Sequence, residues 1–325
     1  MRVFVTGAAS PLGRALVSAL KRRGDHVVGL VRRRGGVQVL KNLGAEAVLG
    51  DVRRSESLAR QMAGCDAVFH VAHFFDFWAR DTRTFDSVNV GGTKNAIAAA
   101  VVAKVPRLIH VSSALAIGEP RGETGYEWTR HRGETRSEFE RSKLEAERLA
   151  MRLRGKGIEI VVVEPSLILA QSDMGWIGRV MTRAVTGGPR FATDTPLSWV
   201  TAEDAAQGMI AALDRGKNGE RYILSSERMS MRQLMDRVAQ LTGRRASRKW
   251  SPRQLETVAA ISEMVATPFG KRPILAPDEA RFLMNGLRVD GGYARSELGV
   301  KYTPISSVLP TIVQSYQRAL DRFVN

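Results

Sequence analysis

Between a short β-branched run (RVFVT) and an amphipathic run (LGRALVSALKRRG), the chain places T-G-A-A-S-P-L-G, Thr6 to Gly13. No other stretch restricts the fold as much. Glycines at the ends of such a turn let a strand reverse tightly into a helix and let backbone approach a ligand closely. The helix N-terminus then presents unpaired N–H groups to an anion. The alternation continues: HVVGLV, a helical pattern near VQVLKNLG, AEAVLG, ESLARQMAG, AVFHVA, a long helical stretch to Lys104, RLIHVSS, a helix carrying FERSK, and IEIVVVEPS. Parallel strands need helical crossovers, so this order predicts an α/β fold with a doubly wound parallel sheet. Residues 1–169 read as a nucleotide-binding unit. Residues 170–325 read as a smaller, mostly helical lobe, with one strand-like run, RYILS, and a segment near 197–226 returning to the sheet.

Bulk properties narrow the partners. The 325 residues are enough for one large or two modest domains. An apolar share of 44% and a charged share of 25% are those of an ordinary globular chain. The richest apolar run, IEIVVVEPSLILA, is broken by Glu and Pro, which argues against a membrane span. MRVFVTG reaches a turn too early for a signal peptide. The single Cys65 has no internal partner, so a reducing, cytoplasmic setting is expected. The net charge of +16 permits an anionic partner, but the cations are scattered and the RNP, paired-Cys and basic-zipper signatures are absent. A small-molecule ligand is expected rather than nucleic acid.

The first turn and the three strand ends after it fit a Rossmann unit holding a dinucleotide. Gly7, Ala9, Ser10, Pro11, Leu12 and Gly13 would surround the pyrophosphate, with Ser10 in the slot of the usual middle glycine, offering its N–H and a hydroxyl. The second strand ends V-R-R-R with no acidic residue to take a ribose 2′-hydroxyl, so Arg32 and Arg33 point to a 2′-phosphate and to NADP(H) over NAD(H). The third strand ends G-D-V, where Asp51 and Val52 would meet the adenine; the fourth ends in Val71, Ala72 and His73, beside the ribose.

Together these residues resemble the extended short-chain dehydrogenases/reductases over nearly the whole chain. TGAASPLG is similar to that family's TGxxGxxG turn, VNVGGTKN to its VNxxGTxN helix, and HVSSALAIG to the strand and loop bearing its catalytic Ser, here Ser113. FERSK resembles its YxxSK, and EPS its proline loop over the nicotinamide, which implies Pro165 and Ile168 as cofactor contacts. The branch of similar look is the dihydroflavonol-reductase, sterol-dehydrogenase and hopanoid-associated epimerase-like group. The resemblance implies an acid/base Tyr and a Lys on the nicotinamide ribose. Lys143 is present; the Tyr slot holds Phe139. Losing such a proton donor is worth ~10²–10⁴-fold in rate. Three readings compete: an enzyme with a relocated acid (Tyr126 first, then His73 and His131); an enzyme whose step needs no Tyr, such as reduction of a polarised C=C bond; or a non-catalytic NADP(H) sensor or scaffold.

HFFDFW succeeds the fourth strand at the carboxyl edge, so Phe75 and Trp78 are candidate walls of an apolar substrate cleft, with Ser113 holding the substrate oxygen. His70 and His73 lack a third ligand at a metal-binding spacing. ISEMVATPFG, with Met and Phe at helical spacing, reads as core. Cys65 has no activating neighbour, and Ser112–Ser113 lack a G-x-S-x-G elbow. A monomer or homodimer is expected.

Overall fold

The computed structural model describes residues 1–188 and 190–324. Seven parallel strands form the main sheet: β1 (Arg2–Thr6), β2 (His26–Val31), β3 (Glu46–Leu49), β4 (Ala67–His70), β5 (Arg107–Val111), β6 (Glu159–Pro165) and β9 (Arg221–Leu224). Their order is β3-β2-β1-β4-β5-β6-β9. The order reverses between β1 and β4, paired from Val3↔Ala67 to Thr6↔His70. Ligands of open α/β sheets bind at such a switch point, outside the carboxyl ends of the strands. Most residues of these strands are buried on both faces, as a helix-covered sheet requires.

One face is covered by helices Pro11–Arg22, Arg34–Asn42 and Ala202–Arg215, whose Leu16, Leu20, Leu40, Met209 and Leu213 share one core. The opposite face carries helices Leu58–Met62, Gly92–Val102 and Glu138–Leu153 over Val28, Val68, Leu108 and Ile160. Ser10, Ser137 and Thr201 cap three of these helices through their side-chain oxygens, which satisfies first-turn N–H groups. The stretch to Lys104 enters as a π-helical turn over Asp86–Gly91 before its α-helix.

The remainder is not only helical. Three short strands, β7 (Leu167–Leu169), β8 (Ser198–Thr201) and β10 (Glu227–Arg228), form a second sheet in the order β10-β8-β7. At two to four residues each they leave no alternation to detect in sequence. Helices Trp176–Thr186, Met231–Thr242, Pro252–Ala266, Pro277–Asn285 and Ile305–Val324 complete the lobe. Its core joins Trp176, Phe282, Leu283 and Leu309 to Phe77, Phe85 and Phe139 from the first half. The ISEMVATPFG stretch departs from its expected place in the core: Ile261, Met264, Val265 and Phe269 are exposed, because helix Pro252–Ala266 buries only Leu255, Ala259 and Ala266 fully. Among the described residues, no helix is long and apolar enough to cross a membrane.

Candidate active site

A cleft of about 620 Å³ runs along the carboxyl edge of the main sheet, within the usual range for small-molecule sites. Its floor begins at the first turn. Gly7 has φ +66°, and a Cβ there would stand 2.8 Å from the backbone of Ala72. A Cβ on Gly13 would stand 2.2 Å from the Gly7 carbonyl oxygen. Both positions therefore admit glycine alone, and they bring β1, β4 and the helix N-terminus together. Of the two groups expected of Ser10, the hydroxyl proton is free and the N–H is not. The Ser10 φ of −67° is ordinary, so serine adds no strain. Its N–H donates to the Gly7 carbonyl at 3.0 Å, and its hydroxyl oxygen accepts from the Gly13 N–H at 3.0 Å. With Pro11 lacking an N–H and Arg14 bonded to the Ser10 carbonyl, the Leu12 N–H is the first-turn amide left open beside the cleft. This cradle fits a pyrophosphate.

Along the same wall stand Ala9, Arg32, Arg33, Val52, Val71 and Ala72, with Pro165 and Ile168 across the cleft. Both arginines are exposed. Asp51 also lines the cleft, but Arg53 clamps both of its carboxylate oxygens at 2.6–3.1 Å. That hydrogen bonding holds the Asp51 carboxyl below its usual range despite partial desolvation. Ala72 is fixed by its N–H donating to Thr6 Oγ1, which also contacts His70 Nδ1 at 2.9 Å. His70 Nε2 in turn lies 3.1 Å from Thr93 Oγ1, so both ring nitrogens are used structurally.

The other half of the cleft is apolar. Phe139, three per cent exposed, puts its ring 4.5 Å from Phe75, and Phe75 meets Trp176 at 6.0 Å. Leu115, Ile177 and Leu287 close this end. Ser113 lies between the halves, its Oγ accepting from the Leu115 N–H at 3.3 Å, which leaves its proton uncommitted. Its neighbour Ser112 donates instead to Glu147 Oε2 at 2.6 Å.

Lys143 is not a wall of the cleft. It is two per cent exposed, and its Nζ donates to the Val111 carbonyl at 2.7 Å. Burial lowers its pKa to about 8, against the pull of Glu147 one turn on. Trp78 lines a separate open depression with Asp76, Arg80 and Arg272. Tyr126 lies outside the cleft, stacked on exposed Trp128 at 5.1 Å. His131 is also outside it, packed under Gly118. His73 does line the cleft, yet it is no acid at neutral pH. Burial and then the Lys143 charge lower its pKa to about 4. Its Nδ1 is 2.9 Å from the Val71 carbonyl, which only accepts, so Nδ1 carries the proton and Nε2 a lone pair.

Sequence reasoning missed the lobe's contribution, Met174, Gly175, Ile177 and Leu287, because nothing local marks residues that reach the cleft from so far along the chain. It also missed the buried charges behind Ser112. Arg221 stands 3.3 Å from Glu147 and 3.7 Å from Glu164. Burial, reinforced by Glu147, holds the Glu164 carboxyl well above the carboxylate range.

The sheet order, the glycine turn and the cleft define a Rossmann-type dinucleotide-binding protein of the extended short-chain dehydrogenase/reductase kind. The profile of the NAD dependent epimerase/dehydratase family matches residues 3–225, and the chain belongs to that family. It is 30% identical over 306 residues to sterol demethylase protein B of Methylococcus capsulatus, covering 92% of this chain and 93% of that one. It is also 30% identical over 325 residues to a putative dihydroflavonol 4-reductase of Synechocystis, covering 97% and 94%. The crystal structure of gox2253 superposes with a TM-score of 0.83 at 29% identity over 98% of each chain. A dTDP-glucose 4,6-dehydratase from Streptomyces venezuelae, solved with NAD, shares the fold at TM-score 0.79 and 22% identity.

Proposed function

We propose that this chain is an NADP(H)-dependent oxidoreductase acting on a small apolar carbonyl, alcohol or enone. The supporting observation is the division of one cleft into a glycine-built anion cradle flanked by Arg32 and Arg33 and an aromatic end built on Phe139 and Phe75. Leu12 N–H and the helix N-terminus would hold the pyrophosphate, the two arginines the 2′-phosphate, and Pro165 and Ile168 the nicotinamide face. When bound, the reduced cofactor supplies a hydride. The chain's own part is to exclude water from the aromatic end, to orient an apolar substrate against Phe75 and Phe139, and to donate the Ser113 hydroxyl proton in a hydrogen bond to the substrate oxygen. With no phenol and a neutral His73, Ser113 is the free side-chain donor there, which suits a substrate whose C=O or C=C is already polarised.

A second reading is a non-catalytic NADP(H)-binding sensor, favoured by Lys143 being withheld from the cleft. Turnover of NADPH against apolar ketones and enones separates the two. The enzyme reading expects turnover that Ser113→Ala lowers by ~10²-fold, as for removal of a single oxyanion donor. Turnover indifferent to Ser113→Ala would refute the assigned role, and no turnover with any substrate would leave the sensor.

A further inference from the structure

Residues 241–274 hold six of the twelve exposed large apolar side chains among the described residues: Leu241, Ile261, Met264, Val265, Phe269 and Ile274, each 45–72% exposed. The same segment carries seven cations against two carboxylates. At 3.6 residues per turn, Ile261, Met264 and Val265 occupy an arc of about 100° on helix Pro252–Ala266. That arc lies away from the buried stripe of Leu255, Ala259 and Ala266. Arg253 falls within about 20° of Met264, whereas Glu256 and Glu263 fall about 140° from the arc's centre. The helix thus has two apolar faces, one packed and one bare, and the acids are turned away from the bare one.

Cations flank this helix in the chain. Arg244, Arg245, Arg248 and Lys249 precede it, Lys249 pairing with Asp194 at 2.9 Å, and Lys271 comes just after Phe269. Arg80 approaches the same end, beside Gly270. The foot of the patch is fastened to the site: Arg272 pairs with Asp76 at 2.6 Å, and Asp76 is the chain neighbour of cleft residue Phe75.

We propose that this face docks on an anionic lipid bilayer, with Ile261, Met264, Val265 and Phe269 entering the interface and the flanking cations meeting the headgroups. A polar face rich in Lys and Arg beside bulky apolar residues is what interfacial helices use. Nucleic acid would use the cations but leave the bare apolar arc in water, and a second copy of this chain would bring +16 against +16. The docking goes beyond the oxidoreductase reading, to which it would add access to ligands dissolved in the bilayer.

The test is co-sedimentation of the purified full chain with vesicles of phosphatidylcholine plus phosphatidylglycerol, and with phosphatidylcholine alone. We expect binding to the anionic vesicles, weakened by added salt, and reduced at least ~10-fold both by Met264→Asp/Phe269→Asp and by Arg245→Glu/Arg248→Glu. All four positions are exposed, and an unchanged thermal melt shows that each variant folds. Absence of wild-type binding, or binding indifferent to Met264→Asp/Phe269→Asp, overturns the proposal. So does a dimer that the apolar variant splits, which would make a second copy the occupant. Competition by duplex DNA that persists in the apolar variant would assign the face to nucleic acid.

Discussion

At the scale of single residues, burial decides more here than charge does. His70, His73 and His110 lie on or just beyond β4 and β5, and His110 is stacked on His70 at 5.8 Å with neither ring nitrogen hydrogen-bonded. Burial first, and the Lys143 charge second, lower His70 to about 3, His73 to about 4, and His110 well below its ordinary value. At these three sites the folded protein therefore binds fewer protons than the unfolded chain below pH 6.5. Their contribution to stability is fully present above that pH and is lost as pH falls toward the folded values, by up to ~1.4 kcal/mol per pH unit for each group. Glu119, raised to about 7 by burial, acts oppositely: its contribution is present below the unfolded value near 4.5 and is lost as pH rises to about 7. His110→Phe isolates one histidine. It is expected to flatten the fall in melting temperature between pH 6.5 and 5 and to raise stability at the acidic end. An unchanged melting profile would show that His110 does not titrate on unfolding.

Individual elements are where the sequence is easiest to read, and where Ser10 shows what it cannot say. The main strands and the helices between them arise from β-branched runs, helical spacing and glycine turns, all of them local signals. A serine in a glycine slot leaves two options, strain or tolerance, and only the backbone angle chooses. At φ −67° Ser10 is a helix N-cap bonded to the Gly13 N–H. Ser10→Ala should then cost about 1 kcal/mol, and Ser10→Gly only a few tenths, in urea unfolding. The reverse ranking would contradict the capping role. The three strands of the second sheet are not legible, since runs of two to four residues carry no period. The helix Pro252–Ala266 departs from its expected burial for a related reason: apolar spacing reports that a face exists, not whether anything covers it.

Across the whole molecule, the half of the cleft proposed for the cofactor is written locally, in turns that end β1, β2, β3 and β4, where motifs can mark it. The apolar half is assembled from distant pieces, Phe75, Phe139, Ile177 and Leu287, which only the closed chain brings together. The same closure withdraws Lys143 beneath the site, bonded to Val111, and leaves Trp78 and Tyr126 outside it. Retained motif residues therefore do not guarantee a retained constellation. What persists is an anion cradle that two glycines make possible and an arginine pair unopposed by a ribose-binding acid. Calorimetric titration of the purified protein with NADPH and, separately, NADH tests that claim most directly. Micromolar NADPH binding is expected, with NADH weaker by ~10-fold or more, equivalent to about 1.4 kcal/mol, and the preference lost in Arg32→Ala/Arg33→Ala. Equal or tighter binding of NADH, or binding of neither, would contradict it.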